Sequence, residues 1–280
     1  MKFCMMSYTL SRQHYGVDDI IRITRSCRMT AIDWVTTYGC SPRHLRRQCE
    51  AAGLTIACYT FFLTRLIEGR TDWQDDAGRE LSVAAELGVP LIMVPTPPIM
   101  GIGDRNENRC RWMDALAWIL PRARNAGLTV SVENYPGSLS PFVTADDFLT
   151  ARRDLPELML TFDSGNAAGG EAPVTSLQRC LPYVVHVHFK DWTVGVNPAP
   201  GAQRMLDGRY YTPALVGEGG VDNAGCLAVL RQGGYQGMVN IEYESDVYPA
   251  EIAVKKAMAY LSTIPEAAGC FSPTDWAAVC

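Results

Sequence analysis

No two of the ten cysteines stand in a C-x-x-C pair, which excludes the usual zinc-ribbon and dithiol motifs. No window approaches the roughly 18 apolar residues of a membrane span. The first residues, MKFCMMSYTLSRQ, carry only a short apolar run before Ser7, Arg12 and His14, too short for a secretion signal. Cationic excess is also absent: 25 Lys and Arg against 30 Asp and Glu leave a net charge of −5, which argues against a surface that coats nucleic acid. No glycine-rich turn follows the first apolar run, and Gly101-Ile102-Gly103 lacks a third glycine, so a dinucleotide-binding doubly wound sheet is disfavoured. The expectation is a reduced, cytoplasmic protein with buried thiols and neither a membrane nor a nucleic-acid partner.

What is present is an alternation. Hydrophobic residues make up 48% of the 280 and charged residues 20%, enough for one large domain or two small ones. Short apolar runs at 2–7, 31–35, 54–59, 90–94, 128–133, 158–163, 183–188 and 238–244 read as strands. Amphipathic stretches near 17–28, 42–52, 72–87, 107–126, 144–154, 173–181, 222–232 and 249–264 read as helices. Ser41-Pro42 supplies a helix start, and Gly53, Gly88 and Gly127 follow helix ends, where a left-handed residue fits. Eight β–α units without a long linker predict one α/β domain over 1–280, a (β/α)8 TIM barrel. Two segments stand outside the pattern: a loop over 192–220, long enough to suggest a functional role, and a tail over 266–280. Phe271 and Trp276 in that tail could pack on a neighbour in a homo-oligomer.

In such barrels the reacting groups sit at the C-terminal ends of strands. The fifth predicted strand ends on Glu133, the sixth on Asp163, the seventh on His186, His188 and Lys190, and the eighth on Glu242 and Glu244. Side chains alternate faces along a strand. In each of these four strands one face is apolar, so the other lines the barrel and carries Glu133, Asp163, His188 and Glu242. Any one of them alone could be a strand-end group facing water; four strands in a row with matching parity argue for a ring at the mouth. Three carboxylates and an imidazole converging without a cation would repel and shift one another's pKa. One divalent ion relieves this, and the oxygen-rich, thiolate-free set suits Mn2+, Mg2+, Co2+ or Zn2+. His186 lies one layer deeper, as a hydrogen-bonded neighbour of the ligands or a contact to substrate. Lys190 either holds a substrate oxygen or balances the carboxylates. Glu218, in VGEGG, either reaches the mouth or serves a turn, and Glu244 is either a rim charge or a site residue.

The segments VENYPG, TFDSGN, HVHFKD, VGEGGVD and GYQGMVNIEYE, in that order, resemble the xylose-isomerase-like sugar isomerase/epimerase family of TIM barrels. The resemblance implies a single divalent metal on Glu133, Asp163, His188 and Glu242. It also implies, from the ketose 3-epimerase branch, an acid–base pair of Glu133 and Glu242 on opposite faces of the substrate. Three positions depart from that branch. Asn166 stands where it has histidine, Leu139 where it has glutamate and Val194 where it has arginine, all groups that grip sugar hydroxyls; Asn166 is the candidate substrate contact among them. The long loop after HVHFKD resembles the dehydratase members.

Removing a proton beside a carbonyl needs a base in reach and a cation at the developing oxyanion. The leading expectation is therefore a metal-dependent isomerase or epimerase of a small keto-sugar or polyol, acting through an enediolate. A dehydratase of a cyclic keto-polyol, an inosose or dehydroshikimate, begins with the same step. The related endonuclease activity implies a trinuclear zinc site needing more than the four histidines here. A non-catalytic sugar-binding barrel would not need an intact acid–base pair.

Overall fold

A computed structural model describes residues 1–268; most of the expected C-terminal tail lies outside the described residues. Eight parallel strands close into a barrel: β1 (Lys2–Met6), β2 (Ala31–Val35), β3 (Thr55–Thr60), β4 (Leu91–Val94), β5 (Thr129–Glu133), β6 (Met159–Asp163), β7 (Val184–Phe189) and β11 (Met238–Ile241). β1 closes the ring by pairing with both β2 and β11. Helices such as Gln74–Leu87, Arg105–Asn125 and Ala250–Ser262 surround it. Among the described residues no helix is long and apolar enough to cross a membrane.

The apolar strand faces point outward. Ile32, Ile92, Val132, Phe162, Val187 and Ile241 join the large buried layer between barrel and helices, and Gly88 closes its helix in the left-handed conformation. Parity fails at two places: β2 pairs Ile32 with Ile56 but Asp33 with Cys58, so Ala57 is an extra residue in β3, and a second irregularity lies between β6 and β7. β6 pairs Leu160 with Val184 but Thr161 with His186, so Val185 is an extra residue in the ladder. This bulge turns Val185 inward against Cys58, Leu91 and Met93, whereas simple alternation predicts that it faces the helices. It leaves His186 and His188 on the inner face, directly beside the site.

The segment expected as a loop over 192–220 instead holds a three-stranded antiparallel sheet made of β8 (Asp191–Gly195), β9 (Gln203–Arg204) and β10 (Tyr210–Ala214). Its own small core of Trp192, Met205 and Tyr211 is buried. Two glycines permit the close approach of this addition. A β-carbon at Gly165 would come within 2.6 Å of Trp192 Nε1 and 2.8 Å of Lys190 Cβ, and one at Gly219 would collide with the Asp191 carboxylate.

Asp147 pins the chain that follows β5. Its carboxylate accepts from Arg105, Arg109 and the backbone N–H groups of Val143 and Thr144, and completes a capping box with Thr144. Burial would raise its pKa, but the Arg105 hydrogen bond and the two backbone donors outweigh burial and hold it below the usual range. A carboxylate with a depressed folded pKa contributes stability that is present above its unfolded value, near pH 4, and is lost as pH falls through the folded value. Asp147→Ala should therefore cost about 2–4 kcal/mol at neutral pH, because two guanidinium groups lose their partner. Thermal melts should show that gap narrowing below about pH 4; a gap unchanged down to pH 2 would mean packing, not charge, supplies the effect.

Candidate metal centre

Glu133 is the last residue of β5 and Asp163 of β6, His188 is the fifth residue of β7, and Glu242 follows β11. The Glu242 N–H still donates to Phe189 O at 2.9 Å, so the residue keeps strand register past the formal strand end. All four side chains are buried, and one donor atom from each lies within 4.8 Å of the others.

His188 Nδ1 stands at the centre, 2.7 Å from Glu133 Oε1 and 3.2 Å from Glu242 Oε2. Its Nε2 faces away, 3.5 Å from Asp33 Oδ2. Asp163 uses Oδ1 to accept the Asn166 N–H at 2.7 Å, which caps the short helix Ser164–Ala168, and its Oδ2 has no hydrogen-bond partner. Lys190 Nζ binds Glu242 Oε1 at 2.8 Å and Glu244 Oε2 at 3.2 Å, leaving Glu242 Oε2 also without a hydrogen-bond partner.

The electrostatics show the strain of this arrangement. Burial pushes Glu133 above the usual carboxylate range and Asp163 well above it, against the pull of His188 and Lys190 respectively. For Glu242 burial is outweighed by Lys190 and His188, which bring its pKa down to about 2. Burial opposes the charged forms of His188 and Lys190 as well, yet the surrounding carboxylates hold both well above their ordinary values. Two buried carboxylates with an oxygen that lacks a hydrogen-bond partner, gathered within 4.8 Å of an imidazole nitrogen, are the environment a divalent cation would relieve. Three oxygen donors and one nitrogen fit such an ion, with the Asp33 carboxylate behind the histidine as its orienting partner.

Asp33 was not reached by reading strand ends, because it sits mid-strand on β2. It accepts from Asn240 Nδ2 at 2.8 Å and Thr60 Oγ1 at 3.1 Å, and pairs with His186 Nε2 at 3.0 Å. Burial opposes its ionisation, but the His186 hydrogen bond and the nearby His188 imidazole prevail and hold its pKa far below the ordinary range. Asp33, Cys58 and His186 also bring donor atoms together, yet the Asp33 oxygens are already engaged, unlike those above. The signal was available: Ile32 and Trp34 share the outer face of β2, so a carboxylate between them points inward.

Two expected substrate contacts lie elsewhere. His186 is buried below the ring against Asp33 and Asn240 rather than lining the cavity above it. Glu218 is exposed, accepting from Tyr248 Oη at 3.1 Å with Lys256 Nζ at 3.6 Å. The VGEGG segment instead serves Asp191, whose carboxylate accepts the N–H groups of Gly217, Gly219 and Val221 at 2.9–3.1 Å. Lys190 and Asn166 do line the cavity, with Glu133, Glu242 and Glu244. Its volume of about 290 Å³ is at the small end for ligand sites.

Fold and site together define a (β/α)8 barrel with a buried carboxylate–histidine ring at the C-terminal ends of four successive strands. The chain belongs to the family of xylose isomerase-like TIM barrels, whose family model matches residues 15–264. It is 28% identical over 173 residues to the L-ribulose-5-phosphate 3-epimerase UlaE of Salmonella paratyphi C, a match covering 60% of this chain and 55% of that enzyme. It is 26% identical over 239 residues to the inosose dehydratase of Bacillus cereus, covering 75% of this chain and 77% of that one. The chain thus spans little more than half the length of the first of these relatives. Among solved structures, the IolI protein with a bound zinc atom superposes with a TM-score of 0.76 at 16% identity, covering 97% of this chain and all of that one.

Proposed function

We propose that this protein is a divalent-metal-dependent isomerase or epimerase of a small keto-sugar or polyol. One observation carries the reading: two buried glutamates, Glu133 and Glu242, approach the same His188 nitrogen from different strands at 2.7 and 3.2 Å, beside Asp163, and Asp163 Oδ2 and Glu242 Oε2 have no hydrogen-bond partner. Glu133, Asp163, His188 and Glu242 would hold the ion. When bound, the ion supplies orientation to two neighbouring substrate oxygens and positive charge at the developing oxyanion.

The rest is done by the chain. One glutamate accepts the proton from the carbon beside the carbonyl, and that C–H electron pair moves toward the carbonyl oxygen. The other glutamate delivers a proton to the opposite face, which inverts the carbon; return at the neighbouring carbon isomerises the sugar. Lys190 fixes Glu242 through one oxygen and leaves the other free, and Asp33 fixes the imidazole plane. The barrel wall and the antiparallel addition surround the cavity.

A second reading, dehydration of a cyclic keto-polyol, is favoured by the inosose dehydratase match, which covers 77% of that enzyme, and by the departures at Asn166, Leu139 and Val194. It shares the first proton transfer and differs in expelling a β-hydroxyl. Incubating the metal-loaded protein in heavy water with ketoses and inososes should introduce deuterium at a carbon beside the carbonyl, and chelation should stop it. Mass spectrometry of the product separates the two readings by loss of water. Absence of exchange across both compound classes would defeat the enolisation chemistry.

A further inference from the structure

We infer that the cavity is built for a neutral, unphosphorylated polyhydroxy ketone of about one ring, and discriminates against phosphate esters and sugar acids; the inference rests on the enolisation reading and narrows its substrate class. Three features of the wall carry it.

The first is charge. Glu133, Glu242 and Glu244 line the cavity and Asp163 lies buried at its base, while Lys190 is the one cation among the described lining residues. That ammonium is already shared by Glu242 and Glu244 at 2.8 and 3.2 Å. Four carboxylates against one ammonium and a divalent ion leave the wall negative even with the ion in place. Arg12, whose charge reaches Tyr8, is turned out onto Asp246 at 3.1 Å. A substrate anion away from the metal would meet like charge without a guanidinium, a free lysine or a long helix N-terminus to receive it.

The second is the donor set. Asn166 Nδ2 is buried and has no hydrogen-bond partner, although its Oδ1 faces Lys190 Nζ at 3.5 Å. Gln203 reaches the cavity from β9, and Tyr8, Tyr135 and Thr60 add neutral hydroxyls. Burial raises the pKa of Tyr8 and Tyr135. An unpartnered neutral amide donor suits a hydroxyl or carbonyl oxygen, and a site built to hydrogen-bond such groups rejects compounds that leave its buried polar atoms unpaired.

The third is shape. Met6, Val35, Phe62, Met93 and Pro95 supply an apolar wall. Such a surface suits the C–H face of a sugar or cyclitol ring and would desolvate a phosphate without compensation.

The test is calorimetric titration of the Mn2+-loaded wild-type protein with free ketohexoses and inososes, with ketohexose 1- and 6-phosphates, and with dehydroshikimate, followed by heavy-water exchange on each binder. At least one free compound should bind about tenfold or more tightly than its charged counterparts. A phosphate ester or the carboxylate binding as tightly as, or more tightly than, every free compound would overturn the inference, and exchange in that ester would leave the enolisation reading standing. Tight binding of a free compound without exchange would uphold the neutral cavity and sink the enolisation reading. Failure of the whole panel to bind would overturn the substrate assignment.

Discussion

Glu133→Gln and Glu242→Gln, each measured at saturating metal, should lower carbon-bound hydrogen exchange by about 10²–10⁴-fold, the range expected for losing a positioned acid or base. Glutamine keeps the side-chain volume and one carbonyl oxygen, so packing around these buried residues should change little. What it removes is the ability to carry a proton. The two losses need not be equal, because the residues sit differently: Glu242 shares one oxygen with Lys190, whereas Glu133 is held by His188. Full exchange in both variants with metal bound would remove the acid–base assignment and leave the glutamates as ligands alone.

Removing the cation or its ligands should have the other large effect. The wild-type chain should carry one divalent ion, and Asp163→Asn should carry little under the same loading. This substitution spares the Oδ1 acceptor that caps the helix Ser164–Ala168 and takes away the charge of the unpartnered oxygen, so a folded, metal-poor protein is expected. His188→Ala should lose the ion almost entirely. Asp33→Asn should weaken binding by about 10–100-fold, as expected when the group behind a ligating histidine is changed. His186→Ala should fall between Asp33→Asn and wild type, because His186 touches Asp33 and Asn240 rather than a ligand atom. Binding also stabilises the folded state, by about 2.7 kcal/mol at a hundredfold excess over Kd. Elemental analysis and melting curves with and without chelator read both effects. Equal metal content in wild type and Asp163→Asn would place the ion elsewhere.

Legibility followed local rules. Each of the eight strand runs was readable because a parallel strand covered on both sides is apolar, and the ring of four was readable because the residues next to the site keep alternation, His188 included, beyond the bulge at Val185. Asp33 was missed when only strand ends were read, although Ile32 and Trp34 mark its parity. Val185 faces inward against simple alternation, because a bulge is an event between two strands and neither β6 nor β7 carries a mark of it alone. The antiparallel addition was read as loop because its strands are short, polar and interrupted by Asn197, Pro198 and Gly208, and they acquire order by pairing with each other and burying Trp192, Met205 and Tyr211. Glu218 was drawn toward the site by its motif, when the glycines around it are what the fold uses.

The barrel and the residue types at its mouth follow from the order of residues alone, because a period of two and the succession of strands are local properties that survive without knowing any neighbour. Tertiary structure decided which oxygens are free. Asp163 gives one oxygen to a helix cap, Glu242 gives one to Lys190, and His188 turns Nδ1 inward while Asp33 faces its other nitrogen. Those choices depend on distances between strands far apart in the chain, and hydrogen bonding at about 3 Å is decided by position, which composition and spacing do not carry.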